Sequence, residues 1–207
     1  MLFDEIQNLD KWELFINRLQ RAGRNIIVTG SNSKLLSKEL ATHLTGRHFS
    51  TVLFPFSFKE FAEGRTDPSE GGLEKKLFSY LDLGGYPEPL VKKIDYHDYL
   101  TALFDAIIYK DIVKRFKIRK ADALEDLAFY LASNIAREFS YNTLAKVTKA
   151  KSVHTVEKYL NYLEEAFVFF KLDKFSLKVK EQLASSKKIY CVDNGLVYAK
   201  AFKSSKD

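Results

Sequence analysis

The sequence predicts an α/β remnant, a partial parallel sheet with its helices, followed by a mainly α domain containing a winged helix-turn-helix. Three observations carry this expectation. Short apolar runs alternate with helical periods as far as residue 56, the rhythm of a parallel sheet covered by helices. From residue 57 onward the apolar residues recur mostly at helical spacing. Charge is also divided unevenly. Residues 1–109 hold 13 Lys/Arg against 15 Asp/Glu, whereas residues 110–207 hold 20 against 12, within an overall net charge of +6. A basic half joined to a near-neutral half points to two units, one of them suited to a polyanion.

The elements follow in order. "MLFDEIQN" (1–8) is an apolar run closed by Asp4 and Glu5, as at the end of a buried strand. Asp10 or Asn8 is placed to cap a helix through about Gln20, with Trp12, Phe15, Ile16 and Leu19 on one face and Gly23 at its end. "NIIVTGS" (25–31) reads as a parallel strand covered on both faces. "SKLLSKELATHL" (33–44) reads as a helix and "HFSTVLFPF" (48–56) as a third strand. The pattern turns helical at "SFKEFAEG" (57–64), breaks at the polar loop "GRTDPSEGG" (64–72), and resumes as a helix over 73–82. "GGYPEP" (84–89) is a structural turn. Helices are expected over 96–114, 121–135, 141–148 and 152–165, then strands in "AFVFFKL" (166–172) and "KKIYCVD" (187–193) before a last short helix. The expected domains are a partial core over 1–63, a helical linker region over 64–120 and a winged-helix-like domain over 121–207.

Composition excludes several classes. With 46% apolar and 14% aromatic residues the chain has material for a core. No apolar run approaches the ~20 residues that span a bilayer, and the start turns acidic by residue 4, unlike a signal peptide. Cys191 is the single cysteine, which excludes an internal disulfide and a cysteine-rich zinc site. His43, His48, His97 and His154 show no metal-ligand spacing. The expectation is a soluble, cytoplasmic protein with no membrane partner.

The first group of candidate residues lies in the α/β part. A strand ending in two acids can hold magnesium with the first and set an attacking water with the second, although acids also favour the first turn of a helix. Ser31 and Asn32 lie at the carboxyl edge of the next strand, where open α/β sheets place ligands, and Ser31 and Ser33 are equally suited to cap the following helix. Arg47, after a glycine turn, is a guanidinium able to reach a phosphate on a neighbouring subunit, or a plain surface arginine.

"LFDEIQN", "TGSNSKLLS", "TGRH", "FPFSFKEF", "GGYPE", "YKDIVKRFKIR", "FSYNTLAK", "TVEKYLNYLEEAF" and "KKIYCVDNGL" run nearly end to end. In this order they resemble a prokaryotic family of AAA-type P-loop ATPases. In that family the ATPase core is followed by a domain of unknown function and then a restriction-endonuclease-like module. The resemblance implies that Asp4 and Glu5 are the Walker B acids, with Asp4 on Mg in an intact member, that Asn32 is the sensor-1 polar residue and that Arg47 is an arginine finger. It also implies ATP and Mg as cofactors of the intact family.

The sequence departs from the family in lacking any G-x-x-x-x-G-K-[ST], the loop whose amides and lysine cradle phosphates. No productive ATP binding or hydrolysis by this chain alone is therefore expected, and the chain reads as a piece of a longer protein. The absent P-loop strand would lie between the strand ending at Asn32 and "TVLFPF". Its absence should leave sheet edges that invite dimerisation or strand rearrangement through residues 1–56.

The basic half carries the second group. "FSYNTLAKVTKAKSVHTVEKYLNYLEEAFVFFKL" (139–172) reads as helix, turn, longer helix and the first strand of a pair, with an apolar face of Leu144, Val147, Val153, Val156, Tyr159, Leu160 and Leu163. Ser152, His154, Thr155 and Lys158 fall on the exposed side of the second helix, the side that reads a major groove in such domains. Lys146, Lys149 and Lys151 are placed to meet phosphates of double-stranded DNA. The wing falls at about 166–192, with Lys171, Lys174, Lys178 and Lys180. "YKDIVKRFKIRK" (109–120) adds six Lys/Arg against one acid, either a nucleic-acid surface or a solvated helix end. Two functions compete: a fragment of an AAA-type ATPase with a DNA-binding winged helix, or a non-enzymatic winged-helix module acting as a DNA-binding or protein-interaction adaptor.

Overall fold

A computed structural model describes residues 1–31, 48–64, 71–150 and 152–201. The helix expected at 33–44 and most of the loop at 64–72 lie outside these described residues. The chain divides into two compact units, Met1–Leu53 with Glu165–Phe167 and Phe54–Glu164 with Val168–Asp207.

In the first unit, β1 (Leu2–Phe3) pairs in parallel with β2 (Ile27–Val28), Leu2 facing Ile27 and Phe3 facing Val28. The Ile27 amide donates to the Met1 carbonyl at 2.8 Å and the Thr29 amide to the Phe3 carbonyl at 2.9 Å. A parallel pair needs a crossover. Here it contains α1 (Trp12–Arg21), which buries Trp12 and Ile16 together with Ile6 against Phe3, Ile26 and Val28. Each such side chain contributes roughly 1.5–3 kcal/mol on burial.

Three expectations are corrected in this unit. Neither Asp10 nor Asn8 caps α1. The N-cap is Lys11 at φ 58°, with no side-chain cap bond, because the short 3₁₀ turn Ile6–Asn8 fixes the approach of the chain. Strand β2 is not covered on both faces, since Ile27 is 66% exposed. The third strand at 48–56 does not form among the described residues. Apolarity alone does not make a strand, whose amides and carbonyls require a neighbour. Among the described residues this segment joins no sheet, its Phe56 amide donating to the Gly85 carbonyl at 2.7 Å instead, and Phe49 and Leu53 stand in solvent.

The second unit begins with α2 (Phe58–Gly64), entered through a reciprocal cap. The Ser57 amide donates to Glu60 Oε2 at 2.8 Å and the Glu60 amide to Ser57 Oγ at 3.4 Å. Next come α3 (Leu73–Leu83), α4 (Pro87–Lys92) and α5 (Tyr96–Ala106), the last capped by Asp95 and running directly into a π-helical stretch, Ile107–Lys114. The turn expected over 84–89 covers only its first residues. Pro87 opens α4 because its fixed φ and missing N–H suit a first helical turn.

Eight further elements complete the unit: α6 (Asp122–Ala132), β3 (Glu138–Phe139), α7 (Tyr141–Val147), α8 (Val153–Glu165), β4 (Phe169–Leu172), α9 (Val179–Ala184), β5 (Lys187–Cys191) and α10 (Asn194–Lys200). The three strands form one antiparallel sheet in the order β3-β5-β4, with Phe170 facing Tyr190 and Leu172 facing Lys188. Leu124, Leu127, Leu131, Leu144, Val156, Leu160, Leu163 and Ile189 are fully or almost fully buried. The apolar face predicted for α7 and α8 is narrower than expected, because Val147 and Val153, at the helix ends, are 50% and 39% exposed. Helix α10 packs on α3 and α5, so residues 73–106 share a core with the sheet-bearing part.

That packing is fixed by a buried carboxylate. Asp193 is only 5% exposed and accepts from the Gly195 amide at 2.8 Å and the Gly85 amide at 2.7 Å. "GGYP" and "VDNGL" thereby meet across the sequence. No side chain fits at Gly84, where a Cβ would lie 1.9 Å from Asp193 Oδ1, or at Gly195, where it would lie 2.3 Å from the Leu83 carbonyl oxygen. Burial pushes the Asp193 carboxyl above its usual range, and the amides of Gly85, Gly195 and Leu196 oppose it.

Candidate functional site

Polar side chains converge at the carboxyl edge of the β1–β2 pair. The parallel register brings the residues after Phe3 beside those after Val28. The Thr29 hydroxyl donates to Asp4 Oδ1. Glu5 Oε2 accepts from Gln7 Nε2 at 2.6 Å and from Ser31 Oγ at 3.3 Å. Glu5 itself is held in the left-handed region at φ 48°, which is unfavourable for a residue with a β-carbon. Asp4, Glu5 and Ser31 thus lie at one strand edge, joined by Gln7 and Thr29, which carry no expected role. Their signal was the position of a hydroxyl and an amide one or two residues from the predicted strand ends. Asn32 and Arg47 lie outside the described residues.

The oxygens of Asp4, Glu5, Thr29 and Ser31 at this edge are of the kind that suits a hard cation such as magnesium better than a soft metal. Among the described residues no group of three or more His, Cys, Asp or Glu side chains is placed to hold a metal by itself.

In the second unit, the predicted DNA-contacting residues separate into two kinds. His154 and Lys158 are exposed on α8, and Lys146 is exposed on α7. Ser152 and Thr155 instead build the start of α8: the Thr155 amide donates to Ser152 Oγ at 3.1 Å, and their hydroxyls are 3.0 Å apart. Lys149 lies 3.5 Å from an Asp126 oxygen, an exposed pair worth little. Lys151 lies outside the described residues. Lys158 Nζ sits 5.8 Å from the centre of the Tyr162 ring, and Tyr162 stacks on Phe116 with centroids 3.5 Å apart.

The stretch between β4 and β5 is less basic in effect than its lysines imply. Lys171 is a partly buried residue engaged by its neighbours, not a free wing residue. Its Nζ lies 2.8 Å from Glu164 Oε2 and 3.0 Å from Asn161 Oδ1, because Lys171 and its neighbour Phe170 point to opposite faces of β4. Burial pulls the Lys171 ammonium down, but Glu164 outweighs it and the net shift is upward. Lys178 is paired with Glu181 at 3.0 Å. Lys174 and Lys180 remain exposed, among the apolar Phe175, Leu177, Val179 and Leu183, which are 69% to 92% exposed.

Fold and site define a two-part protein: a parallel strand pair with acids at its carboxyl edge, and a helical unit built around a three-stranded antiparallel sheet. Residues 1–62 match the family described as an AAA domain. The chain belongs to the family of the domain of unknown function DUF8612, which matches residues 74–207. It is 37% identical over 207 residues to an "Uncharacterized protein" of Haemophilus influenzae, covering 94% of this chain and 50% of that protein. It is 34% identical over 224 residues to "Uncharacterized protein MJ1544" of Methanocaldococcus jannaschii, covering all of this chain and 49% of that protein. The chain therefore spans about half the length of these relatives. No solved structure matches. Among the described residues no helix is long and apolar enough to cross a membrane.

Proposed function

We propose that this chain is the DNA-contacting portion of a cytoplasmic AAA-type ATPase, and that residues 121–201 form a winged helix that docks α8 in the major groove. The observation that carries this reading is the strand order β3-β5-β4 interleaved with α6, α7 and α8. On α8, Val156, Leu160 and Leu163 are buried while His154 and Lys158 are exposed, which supports the reading. His154 and Lys158 contact bases or phosphates at the groove, and Lys146 and Lys149 contact flanking phosphates. Equilibrium binding of a fluorescent duplex tests this. Replacing His154 and Lys158 together by Ala should weaken binding at least tenfold, and equal affinity of the two proteins would contradict it.

The acidic edge is read as the Walker B end of the ATPase. Asp4 would hold magnesium with Thr29 beside it, Glu5 would orient a water, and bound ATP would supply the transferable phosphoryl group. Lacking the glycine-rich phosphate loop, this chain alone does not hydrolyse ATP. Calorimetry with Mg-ATP should show no binding, and turnover by the isolated chain would overturn that part of the reading.

The exposed Phe175, Leu177, Val179 and Leu183 favour a second reading, a protein-interaction adaptor. Retained affinity of the α8 variant for duplex, with loss of partner binding on Leu177→Ser, would support it.

A further inference from the structure

The basic segment that follows the π-helical stretch is held against α8 by an aromatic stack. Phe116 and Tyr162 lie nearly parallel, 10° apart, with centroids at 3.5 Å, and Tyr162 is one helical turn beyond Lys158 on α8. Lys158 Nζ lies 5.8 Å from the same ring centre. The chain Lys158, Tyr162, Phe116 therefore joins the outward face of α8 to residues 114–120.

The charge on that segment is largely uncompensated. The acid just before it, Asp111 in the π-helical stretch, lies 3.8 Å from Arg115, which is mostly covered. Lys114, Lys117, Arg119 and Lys120 are exposed, and no ion pair holds any of them among the described residues. Lys117 sits at φ 51°, a left-handed turn that reverses the chain directly after Phe116. The acid on the exposed side of α8 nearest Lys158 in sequence is Glu157, on the opposite flank from Tyr162 at 100° per residue.

Four unpaired cations on a short turn repel one another, and a polyanion relieves that repulsion. From this juxtaposition we infer that residues 114–120 form a second, phosphate-binding strip of the duplex-DNA surface, with the Phe116–Tyr162 stack setting its position beside α8. The inference rests on the winged-helix reading above. The strip carries no sequence information: it tracks the backbone while α8 reads the groove.

The test uses the full chain and two unrelated labelled duplexes of about 20 base pairs, followed by anisotropy between 50 and 200 mM salt. The variant Lys117→Gln with Lys120→Gln removes two phosphate contacts. Its slope of log affinity against log salt should be shallower than wild type by about 2, equally for both duplexes. The variant His154→Ala with Lys158→Ala reports on α8 separately. If the strip variant keeps the wild-type slope and affinity while the α8 variant is weakened, the strip is overturned and the α8 reading stands. If wild type fails to bind either duplex at 50 mM salt, both are overturned.

Discussion

Asp193 shows how a single side chain can set the packing of a unit. It is nearly excluded from water, has no ion pair among the described residues, and is held by backbone amides of Gly85 and Gly195. Its neighbours have lost all room for side chains, so Gly84→Ala, at φ 76° and with a Cβ 1.9 Å from the carboxylate, should destabilise by roughly 3 kcal/mol or more in urea unfolding. Because folding raises the Asp193 pKa above 3.8, the folded state keeps a proton that the unfolded chain has already lost. Its stabilising contribution is full below 3.8 and falls as pH rises through the raised value. The stability gap between wild type and Asp193→Asn should thus narrow from about pH 4 upward, and a gap that widens would contradict the assignment. Cys191, two residues earlier, has its thiol pushed up to about 12 by burial. It should react with a thiol reagent at pH 8 far more slowly in the folded protein than in urea, because the thiolate is the reactive form.

At the scale of elements, α8 and β4 are tied by charge and hydrogen bonds, Glu164 Oε2 lying 2.8 Å from Lys171 Nζ and Glu164 Oε1 accepting from the Lys171 amide at 3.0 Å. Leu160 is fully buried, and Leu160→Ala should lower stability by about 2–5 kcal/mol. Glu164→Gln leaves the Lys171 ammonium without its carboxylate and should lose about 1–3 kcal/mol, measurable in the same denaturant series. Helices α6, α7 and α8 were legible in the sequence, lying within a few residues of their predicted bounds and carrying their own apolar period, whereas α9, inside the expected wing, and α4, inside the expected turn, were not. Strands β4 and β5 were also legible, bracketed by helix ends and turns. What was not legible depends on partners distant in sequence. The two residues of β3 are too few to show a period, and the apolar 48–56 segment looked like a strand without having a strand partner among the described residues. The link from Asp193 to Gly85, 108 residues apart, leaves no local trace beyond its glycines. In the acidic edge, Asp4 and Glu5 were legible as a pair, whereas Thr29 and Gln7 join them only through strand register and a 3₁₀ turn.

On the scale of the molecule, an AAA-type segment is followed by a DUF8612 domain in a chain that spans half its relatives' length. Among the described residues the β1–β2 sheet has two strands, and Phe49 and Leu53 are exposed. Unpaired edges with apolar neighbours favour strand addition. Residues 1–56 are therefore proposed to drive self-association, and Leu53→Lys should shift sedimentation toward monomer, whereas a wild-type monomer at tens of micromolar would contradict it. The central proposal for the whole chain is duplex binding by the helical unit. Anisotropy of a labelled duplex titrated with the wild-type chain at successive salt concentrations measures it directly. Saturable binding without nucleotide, weakening linearly on a log scale as salt rises, is the predicted result. Absence of binding at 50 mM salt, or binding insensitive to salt, would contradict it.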